Sequence, residues 1–278
     1  MDFYKNQEGV TRLGDQAVIK SCLSFWRLSI LGVMAGFYIA LGYLAFVRMT
    51  GVTPLEWGSY TNFLGGSLFP IGLIALTFAG GELVTGNVLV MALGVVQKKV
   101  SFKALLFNWF IVLITNCLGG IFVAYLFGHL VGLTEGDFLA KTVAVAQAKI
   151  SDTPLIAFTS GIGCNIFVCL AVYLGALSRS YLGKMFGLWF PVMVFVVCGF
   201  QHVVANAFII PAAIFSHVTT ISWLDYLQNT LWVFLGNAVG GSLFFAASLS
   251  YAVTENKPES VMKITDKTTE VVYEHKPS

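Results

Sequence analysis

The stretch Phe78-Ala79-Gly80-Gly81-Glu82-Leu83-Val84-Thr85-Gly86-Asn87 decides the fold when set beside Cys198-Gly199-Phe200-Gln201-His202-Val203-Val204-Ala205-Asn206. Aligned at Gly80 and Gly199, the two share Gly-x-(Glu/Gln)-x-Val-x-(Gly/Ala)-Asn at an offset of 119 residues. A second echo lies downstream of each. Asn108 and Asn116 followed by Gly119-Gly120 match Asn229 and Asn237 followed by Gly240-Gly241, at an offset of 121. Glycine at corresponding places in two long apolar runs marks where a helix stops and restarts. Corresponding interruptions in two halves of a chain are the signature of an inverted repeat around a central site.

The surrounding composition requires a membrane. The chain has 278 residues, 57% hydrophobic and only 11% charged, with a mean hydropathy of +0.80. Charge is less than half the roughly 25% of a soluble domain. A net charge of +2 excludes a nucleic-acid binder. Sixteen of the 30 charges crowd into residues 1–27 and 255–278. The expected organisation is an N-terminal cytoplasmic segment (1–27), a membrane domain (28–254) and a polar cytoplasmic tail (255–278). The first segment has no cleavable signal pattern. The five cysteines mostly lie in apolar runs without a C-x-x-C, which reads as packing.

Charge-free stretches at 28–47, 104–134, 153–178 and 226–254 are each one span. Residues 57–97 and 185–224 are each about 60 Å if wholly helical, twice the hydrocarbon core. Lysines and arginines choose between one crossing and two. With single crossings, only Arg48, Lys141 and Lys149 of the 16 lie outside. With double crossings, Arg48, Lys98, Lys99, Lys103, Arg179 and Lys184 would all lie outside. The expectation is therefore an all-α integral membrane protein with six spans, an inverted 3+3 repeat, broken second and fifth helices and both ends inside.

Chemistry concentrates at the breaks. His202 is the one histidine deep in an apolar run, where an ionisable group faces the protein interior or a cavity. It reads as a group that gives or relays a proton to an anion, or as a neutral histidine bonding a carbonyl freed by the break. Glu82 is the sole acid within the membrane. It is expected to turn from the lumen and hold backbone N–H groups, in a structural set with Gly80, Gly81, Gly199 and Gln201. Thr85 and Asn206 are candidates for hydrogen bonding to a solute. Asn116, Asn165 and Asn237 read as glue between helices, and Gly32/Gly36 with Gly236/Gly240 as sites of close helix contact. Lys149, in a weakly polar segment before the fourth span, reads as a group attracting anions from outside.

Five blocks in order carry a family resemblance: Ala35-Gly36-Phe37-Tyr38-Ile39, Gly81-Glu82-Leu83-Val84-Thr85-Gly86, Asn108-Trp109 with Asn116, Cys164-Asn165 with Val168-Cys169-Leu170-Ala171, and Gly199-Phe200-Gln201-His202 with Ala205-Asn206. Over the membrane region the sequence resembles the formate/nitrite transporter family. That resemblance implies homopentamers of aquaporin-like protomers in the cell (inner) membrane, each with a pore for small monovalent anions or their acids. It implies a cytoplasmic constriction at Leu73 and Phe195, a second constriction at Phe69, Leu83 and Val84, a centre at Thr85 and His202, and Lys149 in the outer vestibule. Two positions depart from the family pattern: Val84 replaces an aromatic and Gln201 replaces a glutamate.

The function expected is passage of formate and related anions, with protonation near His202. Nitrite, hydrosulfide or lactate are the alternatives within that class. A membrane-embedded enzyme or sensor is the alternative outside it, disfavoured because His202 has no second titratable partner except Glu82. A neutral-solute channel of the aquaporin kind would need paired Asn-Pro-Ala turns, which are absent. No nucleotide loop, metal-ligand cluster or Ser/His/Asp set appears, so no cofactor is expected.

Overall fold

The computed structural model describes residues 3–218 and 220–253. The tail assigned to 255–278 lies outside them. The described residues are helical almost throughout. Helix α1 (Asn6–Ser21) lies ahead of the first crossing helix α2 (Phe25–Thr50), and α3 (Ser59–Leu68), α4 (Ile71–Ala79) and α5 (Val84–Val96) follow. The third crossing is α6 (Phe102–Val123), continued by a π-helical stretch, Ala124–Leu130. A short helix α7 (Leu139–Ile150) then leads to α8 (Pro154–Leu177), α9 (Tyr181–Val197) and α10 (Val203–Phe215). Helix α11 (Trp223–Val239) continues through a second π-helical stretch, Gly240–Ala247, into α12 (Ser248–Val253).

Local chemistry sets the starts. Ser24, Ser101, Thr153, Ser180 and Ser222 each accept a backbone N–H of the first turn they precede, which satisfies donors that a helix start leaves open. Pro154 at the first turn of α8 has no N–H to lose.

The path through the membrane follows from contacts at the ends. Gln97, just after α5, donates to the Val10 carbonyl of α1, and Lys99 pairs with Asp15. Tyr4 donates to the carbonyl of Leu177 at the end of α8, and α12 packs on α1. So α5, α8 and α12 all finish on the face where α2 begins. That arrangement gives six crossings, with the second made by α3–α5 and the fifth by α9–α10. Residues 57–97 and 185–224 each cross once, as the distribution of lysine and arginine requires.

Both interruptions open at a glycine with left-handed backbone, Gly80 at φ +96° and Gly199 at φ +77°, a region that side-chain-bearing residues avoid. Three non-helical residues follow before α5 and α10 begin at Val84 and Val203, the last of them, Leu83 and His202, in extended conformation. In a bilayer these loosened backbone groups need protein partners. One asparagine supplies them in each half. Asn116 accepts the Val84 N–H at 2.9 Å and donates to the carbonyls of Gly32 at 2.7 Å and Glu82 at 2.8 Å. Asn237 accepts the Val203 N–H at 3.1 Å and donates to the carbonyls of Gly161 at 2.8 Å and Gln201 at 3.1 Å. The reach depends on close helix approach. A Cβ on Gly36 would run into the Asn116 carbonyl, and one on Gly236 into the Phe158 carbonyl. The inverted repeat is thus a repeat of contacts as well as of sequence.

Replacing Asn116 with Ala takes the partner from the Val84 N–H and the Glu82 carbonyl and a second bond from the helical Gly32 carbonyl, a cost of about 1–3 kcal/mol for the unmet groups. Asn116→Ala and Asn237→Ala are expected to lower thermal stability in detergent by similar amounts. Asn165→Ala, which loses one bond to the Asn237 carbonyl, is expected to lower it less.

Candidate functional site: a pore between two lysine-bearing vestibules

His202 caps α10. Its Nδ1 accepts the Ala205 N–H at 3.1 Å, so in the neutral ring the proton sits on Nε2. Nε2 lies 3.0 Å from the Thr85 hydroxyl oxygen and donates to it. The last residue before α10 and the second residue of α5 therefore meet at the protein centre, both buried. The ring also stacks on Phe195, with centroids 5.7 Å apart and planes 16° from parallel. A proton on Nδ1 would displace the cap, so the ring is built to offer Nε2–H.

Two cavities approach this centre from opposite faces. One, of about 360 Å³, is lined by Lys141, Lys149, Phe69, Phe195, His202 and Asn206 among others. The other, of about 350 Å³, is lined by Lys20, Lys184, Glu82, Leu73 and Leu83 among others. All five expected constriction residues are buried, but they divide differently from the expected arrangement. Leu73 and Leu83 face the Lys20 cavity, Phe69 and Phe195 face the Lys149 cavity, and Val84 lines neither. The reason is geometric. Phe69 and Leu73 are one turn apart, and Phe69 packs edge-on against Phe195 at 5.7 Å, which ties those two rings to one side.

The charged and amide groups form two related clusters. On one side, both Glu82 carboxylate oxygens accept from the Lys20 ammonium, at 2.7 and 2.6 Å. Asn87 donates to Glu82 at 2.7 Å and to the Asn108 side chain at 2.9 Å. Glu82 was expected to turn from the lumen and hold backbone N–H groups, but it lines the Lys20 cavity. Its own N–H donates to the Leu31 carbonyl, and its side chain is committed to Lys20 and Asn87.

On the other side Gln201 occupies the place of Glu82. Its carbonyl oxygen accepts from Asn206 at 2.6 Å, and its amide donates to the Lys149 carbonyl at 3.0 Å and to Asp152 at 2.7 Å. Asn206 also donates to Asn229, which donates to the same Lys149 carbonyl. The Lys149 ammonium finds no carboxylate among the described residues and donates to the carbonyls of Gly199 at 2.8 Å and Phe200 at 3.1 Å. Burial lowers its pKa, and Asp152 nearby acts in the opposite sense. The Asn206 side-chain oxygen is buried without a partner, and Asn206 lines the Lys149 cavity.

Sequence reasoning did not single out Lys20, Asp152 or Lys141. Lys20 carries a readable signal. It stands four residues before Ser24, the cap of α2, as Lys149 stands four before Thr153, the cap of α8. Asp152 and Lys141 have no such signal.

A sequence model of the family described as formate/nitrite transporter matches residues 7–251. The chain belongs to the formate/nitrite transporter family. Among family members it is 44% identical to an uncharacterized transporter of Bacillus subtilis (strain 168), over 95% of this chain and 98% of that one. It is 42% identical to a formate channel of Bacillus thuringiensis, over 95% of this chain and all of that one. In structure it is similar to a chain titled "FNT family ion channel" at a TM-score of 0.82 and 26% identity, covering 88% of this chain and 98% of the other. It is also similar to "Pentameric formate channel with formate bound" at 0.71 and 29% identity, covering 82% and 96%. The family members are transporters and channels rather than enzymes, which sets aside the enzyme alternative.

The Lys20–Glu82 pair is largely shielded, with side-chain exposures of 18% and 10%. Removing one partner of such a pair costs more than removing both, because a shielded charge is left alone. Lys20→Met is expected to destabilise by about 1–3 kcal/mol. Lys20→Met with Glu82→Gln should recover most of that, measured as a double-mutant cycle of thermal unfolding in detergent.

Proposed function

We propose that the chain passes formate and related small monovalent anions across the cell membrane, each anion joined by a proton near His202. The observation that carries this reading is the 3.0 Å Thr85–His202 hydrogen bond, set between two lysine-bearing cavities behind apolar side chains. A bare anion cannot cross a dry apolar neck at acceptable cost, whereas its neutral acid can. Lys149 draws the anion in. Thr85, which receives from His202, offers its hydroxyl proton as a donor, and the unpartnered Asn206 oxygen offers an acceptor. A neutral acid has both an O–H to give and a carbonyl to receive, so this pair fits the acid better than the carboxylate.

In this reading the proton is a bulk proton that enters the vestibule as hydronium, which is left as water, and it leaves with the acid on the far side, while His202 keeps its own proton in place. The site residues are His202, Thr85 and Asn206 at the centre; Phe69, Leu73, Leu83, Val84 and Phe195 at the constrictions; and Lys149 for capture. Similarity to these formate channels supports formate as substrate, and similarity to the pentameric one supports a homopentamer. Lys98, Lys99, Lys103 and Lys184 support an inner-membrane orientation with the α1 face cytoplasmic.

The test is uptake of labelled formate into sealed liposomes holding the purified protein, with and without an inward proton gradient. Protein-dependent flux that rises with the gradient is expected. Thr85→Val should reduce that flux about tenfold, corresponding to one lost hydrogen bond in the crossing state. Formate flux no greater than in empty liposomes would overturn the reading.

A further inference from the structure

Helix α7 turns one stripe toward the Lys149 cavity. Lys141, Ala144, Val145, Ala148 and Lys149 all line it, and they stand at the i, i+3, i+4, i+7, i+8 spacing of a single helix face. The stripe is small and apolar between two lysines, which lie about 12 Å apart along the helix. Lys141 sits at its outer end, half-exposed, with its ammonium 5.8 Å from the centre of the Phe46 ring, itself a wall of the cavity.

No aspartate or glutamate lines this cavity. The carboxylate nearest its lysines in sequence, Asp152, is held by the Gln201 amide and is not among the lining residues. Lys141 has no ion-pair partner among the described residues. The opposite cavity differs. There Glu82 lines the wall and neutralises Lys20 at 2.6 Å, leaving Lys184 as the unpaired cation. The two approaches to one pore thus carry unequal charge, and the difference traces to a neutral Gln201 where the other half has Glu82.

We infer that Lys141 is a second anion-capture residue, forming with Lys149 a two-lysine cavity lining that has no carboxylate on its wall. Small anions are concentrated there before they reach Phe69 and Phe195, whereas the wall of the α1-side cavity carries one unpaired lysine beside the Lys20–Glu82 pair. The consequence is kinetic. The gradient still sets the direction of net flux, but the concentration giving half-maximal entry is lower on the Lys149 side. The substrate consequence rests on the proposed anion passage, whereas the field itself does not.

The experiment measures the field directly. Cys22 and Cys198, the exposed cysteines, are replaced by serine, and Ala144→Cys places a thiol on the cavity wall. The readout is the ratio of its reaction rates with an anionic and a cationic methanethiosulfonate reagent. A ratio favouring the anionic reagent is expected. It should fall about threefold or more in Lys141→Gln, persist in Lys141→Arg, and collapse as salt rises to about 1 M without any substitution at Lys141. A ratio that Lys141→Gln leaves unchanged would overturn the inference, as would one insensitive to salt. In the liposome assay Lys141→Gln should raise formate half-saturation about threefold from the Lys149 side and leave the other side unchanged; equal shifts on both sides would contradict it. The reagent ratio does not depend on the solute carried. A protein without formate flux would overturn the proposed substrate, and the ratio would still decide the role of Lys141.

Discussion

A helix broken inside a bilayer exposes backbone groups that water cannot reach, and every other feature of this channel depends on how that debt is met. The second and fifth crossings each stop at a left-handed glycine and restart four residues later. Asn116 and Asn237 bind the interrupted strands to the neighbouring helices with three hydrogen bonds apiece. Because the freed N–H groups at the start of α10 are satisfied locally, one of them by His202 itself, the imidazole is fixed in a single tautomer. Backbone satisfaction and site chemistry are the same arrangement seen from two sides.

The two halves solve one problem with different charges. In the first half a lysine–glutamate pair closes the cluster beside the break. In the second, an amide passes the interaction outward: Gln201 receives from Asn206 and gives to Asp152, while the Lys149 ammonium turns to the carbonyls of the break. An amide donates and accepts at once, which a carboxylate cannot do, so Gln201 links groups that Glu82 could only neutralise. Structural symmetry is kept and electrostatic symmetry is not.

Much of this was legible in the sequence because it is governed by local pattern. Apolar runs gave the crossings, paired glycines gave the breaks, and the repeated Asn116 and Asn237 announced shared work. The distribution of lysine and arginine chose single over double crossings against the length of residues 57–97 and 185–224. What was not legible depends on how the broken ends are aimed. The partners of Glu82 and Gln201 come from α1 and from the α7–α8 junction, 62 and 49 residues away, and composition gives no hint of either pairing. The partition of Phe69 with Phe195 and of Leu73 with Leu83 follows from ring packing across the pore, which no single segment encodes. The sequence marks α1 only as part of an N-terminal cytoplasmic segment. It is a helix whose buried Leu13 and Ala17 pack onto the membrane domain.

The broken fifth helix holds His202 as a neutral Nε2–H donor aimed at Thr85. Solid-state nitrogen NMR of labelled histidine in lipid, assigned by the loss of one signal in His202→Asn, reads the tautomer directly. A protonated Nε2 and an unprotonated Nδ1 are expected, with the Nε2 resonance moving in Thr85→Val. A proton on Nδ1, or an Nε2 signal indifferent to Thr85, would contradict this arrangement.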